Sequence, residues 1–422
     1  MALEGEVELD HSTTVSMLVG PAFGELSAPA GLGDVDGDGL SDFVVADPDY
    51  AHGGSNAVHD GAAYLYNGRR HPIALRQAAA ESDGVLSFSS RPTFELRPAG
   101  LGDVDGDGHA DFAIAARDFD ARPLSALVFR GGAEMFEGLS TEQATPFEGP
   151  EAGIASMGSL ADLDDDGYDD FFAEVPGPGD SSTVHVFYGG PERLSIPLAV
   201  DDADVHLEGL VSARRPEAGD FDGDGHLDIA MLLGGVDQTP RVVILYGTGE
   251  RIVGGGVAQM LSTVVLVDEA ASNLTALDFD GDGASELVLG TLAQPAILPG
   301  GTRWDPSTVA GWVPLLPDHA GTLTPSRVGD LDGDGADDLA FIAGDGASVL
   351  FAYGRADLLG LAIDAELVLP ALDESGPHAT AVVEAGDLNG DGFGDFLIAD
   401  STRCEGCGSG GAVYAVYGAA RD

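Results

Sequence analysis

Acidic residues stand at alternate positions of a short glycine-rich loop, and they are the chain's clearest chemistry. In Gly33–Phe43 (Gly-Asp-Val-Asp-Gly-Asp-Gly-Leu-Ser-Asp-Phe), side-chain oxygens fall at Asp34, Asp36, Asp38 and Asp42, positions one, three, five and nine of the loop. Carboxylates at that spacing can converge on one hard cation, and Ca²⁺ takes roughly six to eight oxygens. The backbone carbonyl at position seven, here Leu40, can add another. Gly37 and Gly39 let the chain turn where a Cβ would clash.

The loop occurs seven times. The second copy offers Asp103, Asp105, Asp107, His109 and Asp111, and the third Asp162, Asp164, Asp166, Tyr168 and Asp170. The fourth has Asp220, Asp222, Asp224, His226 and Asp228, and the fifth Asp278, Asp280, Asp282, Ala284 and Glu286. Asp330, Asp332, Asp334, Ala336 and Asp338 form the sixth, and Asp387, Asn389, Asp391, Phe393 and Asp395 the seventh. Position seven contributes its carbonyl, so the side chains of His109 and His226 are expected to point to solvent. The copies are not equal. Asp165 replaces the glycine at position four of the third loop, Glu286 brings a longer arm to position nine, and Asn389 a neutral oxygen to position three. Up to seven Ca²⁺ ions are expected.

The loops begin 52 to 69 residues apart, a spacing that marks a repeat architecture. Each is preceded by a short run of small and apolar residues: Ala28–Gly33, Pro98–Gly102, Ser156–Ala161, Arg215–Gly219, Ser272–Leu277, Ser326–Gly329 and Ala381–Gly386. Each is followed by an apolar run such as Phe43-Val44-Val45-Ala46, too short for a helix and apolar on both faces, as a fully buried strand is. A third strand closes on glycine, as in Ala62–Gly68, Leu124–Gly131, Thr183–Gly189, Arg241–Gly247, Ser348–Gly354 and Ala412–Gly418, with Pro295–Gly300 a degraded copy. Outer strands are expected at Thr93–Arg97, Asp204–Glu208, Val264–Asp268 and Glu366–Leu369. Four antiparallel strands repeated seven times predict an all-β, seven-bladed β-propeller, with residues 1–422 as one domain. The last repeat stops after its third strand. Glu6-Val7-Glu8-Leu9 resembles Glu366-Leu367-Val368-Leu369 and is expected to supply the missing outer strand, so that the N-terminal strand closes the ring.

Composition narrows the partners. The 18 basic residues are all Arg, the acids number 72, and the formal charge is −54. Such a chain should repel nucleic acid and anionic membranes. An apolar content of 44% and a regular repeat argue against a wholly disordered acidic chain. No apolar run is long enough for a membrane span. Met1–Asp10 lacks the basic start and apolar core of a signal peptide, which fits either a cytosolic protein or a mature domain freed of its leader. The calcium-type loops favour the second, with an extracellular or cell-surface location. Cys404 and Cys407 fit a small disulfide ring, with a half zinc site, a redox pair and free thiols as alternatives.

The loops resemble the FG-GAP repeats of integrin α-subunit propellers and of many secreted bacterial proteins, which carry Asp-x-Asp-Gly-Asp-Gly-x-x-Asp before an apolar strand. Phe23-Gly24 and Ala46-Asp47-Pro48 match the family's flanking signatures in the first repeat, the latter with Ala-Asp-Pro where Gly-Ala-Pro is usual. The resemblance implies Ca²⁺ between the first and second strands of each blade, and a binding or adhesive role. An EF-hand is excluded, because position twelve is apolar in every copy (Val45, Ile114, Ala173, Met231, Leu289, Phe341, Ile398) where that motif needs Glu. No hydrolase, zinc-protease, P-loop or dinucleotide motif is present. The expected function is therefore a non-catalytic binding or adhesion module for an extracellular protein or glycan ligand, expected to be monomeric. The alternative is a polysaccharide lyase or hydrolase on a propeller scaffold. Ligand contact is expected on the longest loops between second and third strands, Asp47–Asp60 and Asp400–Gly410, through Tyr50, His52 and Arg403.

Overall fold

Seven small sheets, each built around one acidic loop, form a ring in a computed structural model of the chain. The structure describes residues 5–8, 15–19, 27–47, 61–70, 77–78, 82–88, 93–118, 125–149, 153–178, 181–194, 197–211, 215–233, 241–252, 263–266, 271–291, 294–304, 312–316, 323–344, 346–356, 363–369, 378–403 and 410–421. The first blade runs outward from Ser27–Gly33 through Asp42–Asp47 and Ala62–Tyr66 to Gly84–Ser87. The other blades repeat this antiparallel order, and the acidic loop joins the innermost strand to the second. The helical content among the described residues is a single 3₁₀ turn, Val200–Asp202.

The second strands explain why the ring holds. Phe43 and Val45 face blade seven, in a cluster with Leu397, Val413 and Ala415. Val44 and Ala46 face blade two, in a cluster with Phe112, Ile114 and Phe129. Alternate side chains of one strand thus enter two different cores, so both faces must be apolar. Seven such clusters occur among the described residues, each shared by neighbouring blades, and one of them joins the last blade to the first. All seven position-twelve residues are buried in these layers.

The strand assignments need two corrections. Thr93–Arg97 is not an outer strand. It runs directly into Pro98–Gly102 as one ten-residue innermost strand, and the outer place in blade one belongs to Gly84–Ser87. Pro295–Gly300 does hold the shortened third strand expected there: Ala296–Leu298, three residues long, lies between Glu286–Thr291 and Val313–Pro314. Finally, the segment expected to join the last blade joins the sixth. Gly5–Glu8 pairs parallel with Ala365–Val368, whereas Val15–Val19 pairs antiparallel with Gly410–Tyr417 of blade seven. A sequence likeness between two edge segments carries no information about which edge each will meet.

Parallel additions of this kind recur. Gln77–Ala78, from the first repeat, adds to Val15–Val19 at the rim of blade seven, and Leu198–Ala199, from the third, adds to Thr145–Glu148 of blade two. In each case a segment preceding the outer strand of one blade covers the exposed edge of the blade before it. Covered edges have fewer unpaired backbone groups to offer another chain.

Candidate metal centres

Each acidic loop is tied down by its own carboxylates. Asp34 Oδ1 accepts the backbone N–H groups of Gly37 (2.7 Å) and Asp38 (3.0 Å), and its Oδ2 accepts that of Gly39 (2.9 Å). Asp220, Asp330 and Asp387 make the same three bonds in their loops. Asp38 Oδ1 accepts the N–H of Leu40 at 2.9 Å, so position five holds position seven in place. The glycine at position six carries a positive φ in every copy, Gly39 at 88°, where an L side chain would be strained. Asp165, the one non-glycine at position four, is forced into the same region at φ 56°.

Position nine has a second task that its spacing does not announce. Asp42 is buried, with Oδ2 accepting from Val35 N–H (2.8 Å) and Oδ1 from Gly68 N–H (2.8 Å). Asp111, Asp170, Asp228, Glu286, Asp338 and Asp395 repeat this pair of bonds, to position two of the loop and to the glycine ending the third strand. The strand-closing glycine was visible in the sequence, but nothing there linked it to the acid. Burial pushes these carboxyls up to about 7, or about 8 for Asp338 and Asp395. The two backbone donors oppose that shift, and neighbouring loop acids add to it.

The structure gathers the predicted acids into groups that could hold a metal ion. Oxygens of positions one, three and nine lie within 4.8 Å of one another in the first four loops: Asp34, Asp36 and Asp42; Asp103, Asp105 and Asp111; Asp162, Asp164 and Asp170; Asp220, Asp222 and Asp228. In the fifth loop the group is Asp278, Asp280 and Asp282, with position five in place of the longer Glu286. The donors are all hard carboxylate oxygens, the set that Ca²⁺ prefers. Two of them add an independent sign: Asp105 Oδ1 and Asp164 Oδ1 are buried and accept no hydrogen bond. A buried carboxylate oxygen left so is costly unless a cation meets it.

Neighbouring loops are bonded to each other. At six of the seven junctions position eight of one loop donates its N–H to the position-one carbonyl of the loop before, as in Ala110 to Asp34 (2.8 Å), Asp169 to Asp103 (3.0 Å) and Ser41 to Asp387 (2.9 Å). The last of these joins blade one to blade seven. Position-seven side chains take part as well, which corrects the solvent-facing orientation expected for His109 and His226. His109 lies against Gly37, where a Cβ would sit 2.7 Å from its Nε2, and His226 Nδ1 is 2.7 Å from Asp165 Oδ2. Each loop leans on the next, so a side chain that leaves its own loop meets another.

Other expectations lie outside the described residues: Tyr50, His52, Cys404, Cys407 and the side chain of Arg403. The innermost strands line a central cavity of about 1030 Å³ containing Arg215, Glu217, Arg327 and Glu384. Arg327 Nε lies 3.2 Å from both Asp337 Oδ2 and Glu384 Oε2.

No family profile matches the chain. Human (Homo sapiens) integrin alpha-IIb is 30% identical over 181 residues, 40% of this chain and 16% of that protein. Integrin alpha-4 of Xenopus laevis is 32% identical over 155 residues, 35% of this chain and 14% of that protein. The chain therefore spans only a small part of the length of these relatives. A crystal structure of BBS1N in complex with ARL6DN, soaked with mercury, aligns with a TM-score of 0.49 at 10% identity over 96% of this chain and 94% of that one. Acidic loops repeated in seven blades, with integrin α-subunit similarity at modest identity, make this chain an FG-GAP-like β-propeller.

Proposed function

We propose that residues 1–422 form one extracellular propeller that binds Ca²⁺ in its seven loops and serves as a non-catalytic binding or adhesion module for a protein or glycan. The observation that carries the metal reading is the pair of buried, donor-free oxygens at position three, Asp105 Oδ1 and Asp164 Oδ1, facing convergent acids. The side chains at positions one, three, five and nine and the carbonyl at position seven are the proposed ligands in every loop. When bound, Ca²⁺ would neutralise the crowded acids. The chain's own groups do the rest: backbone N–H donors orient positions one and nine, and loop-to-loop bonds carry that order around the ring.

Similarity to integrin α-subunits supports the binding role. The test is a protein and glycan binding screen with Ca²⁺ and with chelator, alongside assays for polysaccharide turnover. Saturable, Ca²⁺-dependent binding without turnover is expected. Turnover would shift the reading to an enzyme, whose chemistry would have to use the central cavity.

A further inference from the structure

Three arginines cross from one blade to the loop of the blade before. Arg251, beyond the third strand of blade four, sets Nε 2.5 Å from Asp164 Oδ2 and Nη2 2.7 Å from Asp166 Oδ2 in loop three. Arg303 of blade five bonds Asp222 Oδ2 through Nε and reaches Asp224 Oδ2 at 3.4 Å in loop four. Arg421 of blade seven reaches Asp332 Oδ2 of loop six at 3.4 Å. Each guanidinium also lies over a tyrosine of the blade it reaches: Arg251 over Tyr188 (5.0 Å), Arg303 over Tyr246 (4.8 Å) and Arg421 over Tyr353 (4.4 Å). In two of the three, the next residue's N–H donates to the same tyrosine hydroxyl, Ile252 to Tyr188 at 2.6 Å and Trp304 to Tyr246 at 3.0 Å.

The arginines take Oδ2 atoms. The Oδ1 atoms stay on the loop's side: Asp224 Oδ1 accepts the N–H of His226, and Asp164 Oδ1 is donor-free. The tyrosine always immediately precedes the glycine that ends the third strand. Where that place holds another polar residue, it reaches position three from within its own blade, as Asn67 reaches Asp36 and Arg130 reaches Asp105. A planar fork held on an aromatic face fixes two carboxylates at once. Partners of this kind orient metal ligands, and their loss commonly costs about 10- to 100-fold in affinity.

We propose that Arg251, Arg303 and Arg421 are inter-blade latches that position the third-position carboxylate for the cation, and for Arg251 and Arg303 the fifth-position carboxylate as well, coupling a filled loop to the packing of the next blade. This rests on the Ca²⁺ reading above. Loop four offers a direct test, because Trp304 adjoins Arg303 and the chain has 2 tryptophans. In full-length protein carrying Trp312→Phe, Tb³⁺ emission excited through Trp304 reports that loop, and Ca²⁺ competes it away.

Arg303→Gln is expected to raise the Tb³⁺ and Ca²⁺ midpoints about tenfold or more. Arg303→Lys, which keeps the charge but not the fork, should recover part of the loss. Tyr246→Leu, which leaves every charge in place, should shift the midpoints in the same direction. Arg303 is 58% exposed, so its replacement leaves the core intact. Unchanged or lower midpoints in Arg303→Gln overturn the latch while leaving the Ca²⁺ reading standing. Absence of Ca²⁺-competed emission in the parent protein overturns both.

Discussion

The ninth-position acid belongs to the scaffold as much as to any metal. Asp42 bonds two buried backbone N–H groups, and Asp42→Ala would strand both. At about 1–3 kcal/mol for each buried group left unpaired, a loss of roughly 2–6 kcal/mol is expected. It should persist in chelator, and chemical denaturation measures it. Asp38→Ala, at exposed position five, should cost far less in chelator. Titration gives a second prediction. The folded-state pKa of these seven acids is raised to about 7 or 8, above the ordinary value of 3.8 for Asp and 4.5 for Glu. Their folded state therefore holds protons that the unfolded state releases. The stability this contributes is present below pH 4 and is lost as pH rises through about 7 to 8. Melting in chelator should fall across that window, and saturating Ca²⁺ should remove the fall by pairing the ionised forms. A chelator series that melts higher at pH 8 than at pH 5 would contradict this.

At the scale of elements, the N-terminal strands decide how blades six and seven end. Val15–Val19 covers the third strand of blade seven and places Leu18 in the core between blades seven and one. We expect closure of the ring to depend on it. Deleting residues 1–19 should lower the melting temperature and promote self-association through the bared Gly410–Tyr417 edge, seen by light scattering. Deleting residues 1–10, which removes Gly5–Glu8 from the rim of blade six, should have the smaller effect. Equal effects from the two deletions would mean that the closing strand does no more than cover an edge.

For the whole molecule, charge and metal are linked. A net charge of −54 resists compaction, and 27 of the acids occupy positions one, three, five and nine of the seven loops. Ca²⁺ bound to the folded ring and not to the unfolded chain would raise stability by mass action. A large drop in melting temperature on chelation is expected, restored by Ca²⁺ better than by Mg²⁺, which demands a tighter octahedral shell. Calorimetry of metal-stripped protein checks this, and identical melting with and without Ca²⁺ would refute it.

Blade number, the loop-bearing strand pairs and the metal-type acids were all legible in the chain, because each is a local pattern. Carboxylates two residues apart, glycines at fixed turn positions and four apolar residues in a row make sense within a dozen residues. What only the tertiary structure decided is contact between blades. Arg251 meets Asp164 across 87 positions, Arg303 meets Asp222 across 81, and Arg421 meets Asp332 across 89. The destinations of Gly5–Glu8 and Val15–Val19, and of the His109 and His226 side chains, are decided in the same way. Such pairings depend on which surfaces the closed ring brings together, and no local periodicity encodes that.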